Sequence, residues 1–205
     1  MPQMESMTIH RPQIACIVGP TASGKTALSI RVARMTGAEI VSADSVQVYC
    51  GMDIGSAKPT PEERQGIPHY MIDCVQIDRP GFSVSAYRDM AVEAIGAIER
   101  NGHLPLVVGG SGLYVNSLIY PLNFAVPSDA SIRARLEMEY PAGQTASAWE
   151  ALQKADPVTA ARLHPNDRKR ILRALEVLSC SGQPLSAFGN DFANTAGADA
   201  PCDAI

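Results

Sequence analysis

Residues 19–26, Gly19-Pro20-Thr21-Ala22-Ser23-Gly24-Lys25-Thr26, carry the spacing G-x-x-x-x-G-K-T, and each part of it has a separate task on a phosphate chain. Glycines let backbone N–H groups turn inward on the phosphates, Lys25 brings a point charge, and Thr26 offers a hydroxyl to Mg²⁺. A helix beginning at Lys25 would add the positive partial charge of its N-terminus. The cradle alone does not say whether phosphate is transferred or only departs. Asp44 narrows the chemistry, because it ends the next expected strand in SADSVQVY, and α/β sites lie at the carboxyl ends of parallel strands. A carboxylate there can bind Mg²⁺ or take a proton from a nucleophile facing the phosphates, and an Asp at that place can equally cap the following turn. Gln47 has an amide matching the donor and acceptor edge of adenine, with a solvated loop glutamine as the plainer alternative.

Further along, GGSGLY (residues 109–114) is a second glycine loop, with Ser111 placed to cap a helix. Arg162, Arg168, Lys169, Arg170 and Arg173 cluster in RLHPNDRKRILRALE, where Lys169 and Arg173 share a helical face and Ile171, Leu172 and Leu175 can turn toward a core. Such a face is often merely solvated, yet it offers the local positive field that a polyanion needs. His69 and His164 lack any Cys/His spacing for zinc and read as packed or hydrogen-bonded residues.

These residues need a scaffold. The apolar run 14–19 reads as a buried parallel strand, residues 25–35 as a helix with Leu28, Val32 and Met35 on one face, and 38–44 as a second strand. That order is a βαβ unit. The Gly- and Pro-rich stretch 51–70 reads as loop with a single helical turn at PEER, HYMIDCV as a strand, SAYRDMAVEAIGAIERNG as a helix, and LPLVVGG as another buried strand. The expected fold is α/β: a P-loop NTPase-like parallel sheet flanked by helices. Its parts are a disordered leader (1–13), a core (14–122), a helical insert and return helix (123–185), and a tail (186–205) without periodicity, expected to be disordered.

With 205 residues, 46% hydrophobic and 19% charged, the chain has the composition of a soluble globular protein. A net charge of -4 excludes a surface that is basic throughout, so a polyanion must meet a local patch. The five cysteines (Cys16, Cys50, Cys74, Cys180, Cys202) form no C-x-x-C pair and fit reduced thiols in a cytosol, and the first thirteen residues lack the apolar stretch of a signal peptide.

Taken in order, GPTASGKT, DSVQVYCGMDIGSAKP, IPHYMID, FSVSAY, VVGGSGLY and RILRALEV closely resemble the tRNA dimethylallyltransferases, or tRNA isopentenyltransferases, over about residues 14–185. The resemblance implies that the loop, Gly19 through Thr26, holds the diphosphate of dimethylallyl diphosphate with Mg²⁺ at Thr26, so that diphosphate is a leaving group. It implies that the five-carbon group goes to the exocyclic amine of the adenosine just 3′ of the tRNA anticodon. Asp44 would be the base, with Lys25 and Thr26 serving the departing diphosphate. Asp44, Ser45, Val46, Gln47, Ser111, Arg133 and the stretch Lys169, Arg170, Ile171, Leu172 and Arg173 would contact tRNA. A cytoplasmic monomer without membrane attachment is the expected setting. Two departures stand out: the match fades after GQPLSAF, where the family continues, and Tyr70 replaces a common second histidine. The alternatives are a small-molecule or nucleoside kinase, an adenylate isopentenyltransferase, or an inactive fragment that binds tRNA.

Overall fold

The computed structural model describes residues 11–78, 82–122, 124, 126–188 and 200–204. The chain divides into two units, Met1–Leu122 with Thr195–Ile205, and Asn123–Asn194.

The first unit is built on a parallel sheet. β1 (Gln13–Val18), β2 (Glu39–Ala43), β3 (His69–Tyr70), β4 (Pro105–Gly109) and β5 (Asp203–Ala204) lie in the order β3-β2-β4-β1-β5. Every residue of β2 and β4 is buried, as expected of strands covered on both faces. Side chains alternate across the sheet. Val41, Ala43 and Val107 point toward α3 (Val84–Arg100) and α4 (Gly112–Ile119), where Tyr87, Ala91, Ile95, Ile98, Val115 and Leu118 close one core. Ile40, Leu106 and Val108 point the other way, to Ile30 and Ala33 of α1 (Lys25–Thr36).

Register decides where the site can be. Val18 of β1 and Ala43 of β2 both pair with Gly109 of β4, so three strands end in one row and the segments that follow them emerge side by side. Gly109 is required there: a Cβ on it would stand 2.0 Å from the Ala43 carbonyl oxygen.

Several local details depart from the sequence expectations. The face of α1 turned to the sheet carries Ser29, Ile30 and Ala33, while Leu28 is 50% and Met35 84% exposed. The period is helical but the phase is rotated, because small residues allow close approach and the Ser29 hydroxyl is satisfied by the Thr26 carbonyl at 2.9 Å. HYMIDCV yields only the two-residue β3 and a single bridge between Val75 and Tyr49, since Met71 (φ 61°) and Asp73 (φ 55°) turn left-handed. PEER is α2 (Pro61–Arg64), closed by a capping box between Thr60 and Glu63.

The tail contains structure that its composition did not announce. Asp203–Ala204 pairs with Gln13 and Ile14, the Cys202 amide donates to the Leu118 carbonyl at 3.0 Å, and Leu185–Phe188 forms a 3-10 turn. Gln13, assigned to the leader by sequence, is already β1. Of both expected disordered segments, residues 1–10, 189–199 and 205 lie outside the described residues.

The second unit is helical: α5 (Ala130–Glu139), α6 (Thr145–Ala155), α7 (Pro157–Arg162) and α8 (Arg168–Ser181). They pack around Leu136, Ala148, Leu152, Ala160, Ile171, Leu172 and Leu175.

Candidate phosphate-binding cleft

The loop after β1 turns through two left-handed residues, Ala22 (φ 63°) and Gly24 (φ 81°), and delivers its chain to the N-terminus of α1. Gly24 stands at the N-cap without a side chain, so the first-turn amides are left to a ligand. The Gly19 amide donates to the Gly109 carbonyl at 3.4 Å, and the Lys25 ammonium folds back to the Pro20 carbonyl at 2.6 Å. Gly110 backs the loop so closely that a Cβ would stand 3.1 Å from the Gly19 carbonyl oxygen.

Beside it, Asp44 follows β2. Its Oδ1 accepts the amides of Val46 at 2.8 Å and Gln47 at 3.3 Å, so the capping role is realised. Oδ2 has no hydrogen-bond partner among the described residues. Ser111 stands at the N-cap of α4, yet its hydroxyl does not cap that helix; it accepts the Ser45 amide at 2.9 Å, while the Ser111 amide donates to the Ala43 carbonyl at 3.1 Å. The second glycine loop is thereby a brace for the Asp44 turn. Behind it Tyr114 stacks on Tyr87 with centroids 3.9 Å apart, and the Tyr87 hydroxyl donates to the Ser42 carbonyl at 3.0 Å. Burial, helped by Tyr49, Cys74 and Asp44, pushes the Tyr114 phenol up to about 12, which removes it as a base.

These parts enclose a cleft of about 400 Å³. Residues Thr21 to Ala27, with Ser42, Asp44 and Gln47, give it polar walls, and Ile40, Ala57, Pro59, Ile72 and Val108 give it apolar ones. Gly19, Pro20, Ser45, Val46 and Ser111 are not among the lining residues. His69 lines the cleft as well. Its Nδ1 lies 2.8 Å from the Ile67 carbonyl, and a carbonyl only accepts, so Nδ1 carries the hydrogen and Nε2 is an acceptor. Burial lowers the His69 pKa, with the Ile67 bond opposing and Arg64 acting in the same direction as burial, which favours the neutral ring.

The far wall rests on residues that sequence reasoning passed over. Lys58, whose side chain is only 5% exposed, bonds Asp53 at 2.7 Å, Asp73 at 2.6 Å and the Tyr49 carbonyl at 2.9 Å. Burial pulls its pKa down, but hydrogen bonds to the two carboxylates outweigh that and leave it raised. The signal was its place in GMDIGSAKP, a stretch without periodicity. The Gln47 amide is spent on protein partners: Oε1 accepts Ser42 Oγ at 3.1 Å, and Nε2 donates to the Ser56 carbonyl at 3.3 Å and the Ala57 carbonyl at 3.0 Å.

In the helical unit, the tRNA contact expected of Ile171 and Leu172 does not fit their side chains. Both are fully buried in that unit's core. Arg133 pairs with Glu137 at 3.1 Å and Glu176 at 3.5 Å, and Arg173 bonds the Val126 carbonyl at 2.5 Å and Glu176 at 3.2 Å. Glu176 is 1% exposed; burial raises its pKa, but hydrogen bonds from Ser128, the Asp129 amide and Arg173 more than reverse this and hold it low. Two of the expected tRNA-contacting arginines therefore serve a buried carboxylate. Lys169 is exposed, as is Arg170, which pairs with Asp167 at 3.2 Å.

A parallel sheet whose first strand feeds a phosphate loop, with a carboxylate ending the next strand in the same row, defines a P-loop NTPase-like α/β protein. The chain belongs to the IPP transferase family, whose model matches residues 47–203. It is 49% identical over 191 residues to a tRNA dimethylallyltransferase of Moorella thermoacetica, covering 90% of this chain and 58% of that protein. The full-length tRNA isopentenylpyrophosphate transferase of Bacillus halodurans is a structural neighbour at TM-score 0.54 and 41% identity, covering 85% of this chain and 57% of that one. A eukaryotic dimethylallyltransferase solved acting on tRNA aligns at TM-score 0.75 and 29% identity, over 95% of this chain and 47% of that one. The chain spans a little over half the length of the curated relatives it matches.

Proposed function

We propose that the chain transfers a dimethylallyl group from dimethylallyl diphosphate to the exocyclic N6 amine of the adenosine 3′-adjacent to the anticodon of tRNA. The observation that carries this is the cleft itself, in which a phosphate loop, one carboxylate and an apolar wall face a common space. A kinase needs the first two, but the apolar residues Ile40, Ala57, Pro59, Ile72 and Val108 suit a hydrocarbon end. The names of the relatives point the same way.

The loop amides and Lys25 hold the diphosphate, and its C–O bond breaks toward a delocalised allylic cation as charge gathers on the departing oxygens. The adenine amine forms the new C–N bond and loses a proton to Asp44; help of this kind is typically worth about 10²–10⁴ in rate. The Thr26 hydroxyl, an oxygen donor lining the cleft at the start of α1, is the group that would hold Mg²⁺ beside the diphosphate. The ion would neutralise charge on the leaving diphosphate. Ser45, Val46 and Ser111, beside the cleft, and Lys169 and Arg170 on the helical unit are the tRNA contacts we favour. Arg133 and Arg173 are engaged with Glu176 and are weaker candidates for that role. No helix among the described residues is long and apolar enough to cross a membrane, and a cytoplasmic monomer is the setting we assign.

The test is incubation with labelled dimethylallyl diphosphate, Mg²⁺ and either tRNA or AMP, beside Asp44→Ala. Label entering tRNA and vanishing in the variant supports the assignment. Transfer to AMP, phosphoryl transfer from ATP without prenylation, or binding without transfer overturns it in favour of the adenylate enzyme, the kinase or the binding fragment respectively.

A further inference from the structure

We propose that Gln47 is a positioning residue that clamps the apolar wall of the cleft to the Asp44 turn, and that it does not read the adenine edge. This rests on the prenyl diphosphate assignment above. An amide has two N–H donors and two acceptor lone pairs, and reading adenine takes one donor and one acceptor from a single planar group. In Gln47 both donors are directed at carbonyls, Ser56 at 3.3 Å and Ala57 at 3.0 Å, and Oε1 already accepts Ser42 Oγ at 3.1 Å. The backbone of the same residue is engaged too: its amide donates to Asp44 Oδ1 at 3.3 Å and its carbonyl accepts the Asp73 amide at 3.1 Å. One residue thus joins the end of β2, the Asp44 turn, the 56–57 segment and the 73 turn.

The 56–57 segment needs such a tie. Ala57 sits at φ 51°, a left-handed backbone that costs a non-glycine residue energy and persists only when neighbours over-determine it. Gln47 holds its carbonyl on one side, and Lys58, with its three acceptors, fixes the next residue on the other. Ala57 and Pro59 are cleft wall. A dimethylallyl group offers no hydrogen bonds, so only the shape of such walls can aim its reacting carbon, and misplacement by an ångström is expensive in rate.

Gln47→Glu keeps the length of the side chain and turns an oxygen toward the two carbonyls. Calorimetric titration without tRNA is the measurement, with inorganic diphosphate and with dimethylallyl diphosphate, both in Mg²⁺. The ester should bind about tenfold more weakly, the scale of two lost hydrogen bonds, while inorganic diphosphate stays within about twofold. Lys58→Met should copy this pattern, and amide hydrogen exchange across residues 53–59 should quicken in both unliganded variants. Unchanged ester affinity with a raised KM for tRNA alone would make Gln47 a base reader and end the proposal. An equal loss for both ligands would place its action on the phosphate loop and end it too. If the wild-type chain binds neither ligand, the assigned function falls, and the exchange rates still decide for or against the clamp.

Discussion

Replacing Gly109 by alanine is a severe and local perturbation. The added Cβ would meet three backbone atoms of Ala43, the carbonyl oxygen at 2.0 Å, the carbonyl carbon at 2.4 Å and Cα at 2.8 Å. None of these belongs to a flexible side chain, so β2 and β4 must separate by roughly 1 Å where Ala43 and Gly109 pair. Overpacking of this kind costs about 1–3 kcal/mol, which for a chain of this size lowers the melting temperature by about 2–12 °C. The next residue after Ala43 is Asp44, and a shift of about 1 Å at a reacting group costs on the order of 10² in rate. Gly110→Ala is the internal control, since its nearest obstacle is the Gly19 carbonyl oxygen at 3.1 Å. Thermal denaturation and kcat/KM for prenyl transfer, measured on both variants, should show the larger loss in both quantities for Gly109→Ala. A Gly109→Ala protein that melts with the wild type and keeps its activity within about threefold would refute the claim that strand approach at this row sets the catalytic geometry.

His69, whose pKa burial depresses, binds its proton more weakly folded than unfolded, so stability falls as pH drops through the ordinary histidine range; His69→Phe should flatten the difference in melting temperature between pH 7.5 and pH 5.5. Glu176 has a lowered folded pKa, so its contribution is present above the unfolded carboxylate value and is lost as pH falls through the folded one. Glu176→Ala should destabilise the helical unit by about 1–3 kcal/mol in urea unfolding at neutral pH, because the Ser128 hydroxyl, the Asp129 amide and the partly exposed Arg133 and Arg173 lose their partner. Lys169→Ala with Arg170→Ala should reduce the slope of log affinity for tRNA against log salt by about 0.7–0.9 for each phosphate no longer neutralised, read by filter binding across a salt series.

The phosphate loop was legible in the sequence because its function is local: eight contiguous residues, a strand before and a helix after. Asp44 was legible as a strand end: the expected turn cap is realised through one oxygen, and the residue lines the cleft. What composition concealed is carried by interactions between distant segments. Lys58 meets Asp73 fifteen residues away through an ion pair that no period encodes. Met71 and Asp73 break the expected strand by turning left-handed, which non-glycine residues do not advertise. β5 has two residues and owes its existence to the open edge of β1, not to any pattern of its own. Ile171 and Leu172 were expected to touch tRNA with Lys169, Arg170 and Arg173, yet the helical spacing of the five already allowed Ile171 and Leu172 to turn toward a core, where the structure buries them.

The row formed by Val18, Ala43 and Gly109 bears on how the protein can change over generations. Within β4 one apolar residue can replace another at modest cost, but inserting or deleting a single residue would swap its two faces and carry the brace at Ser111 out of step with both neighbouring loops. Segments between the helices of the second unit have no such obligation. Sequence in this strand is therefore free to drift where its length is not, and descendants that differ in size should carry the difference elsewhere.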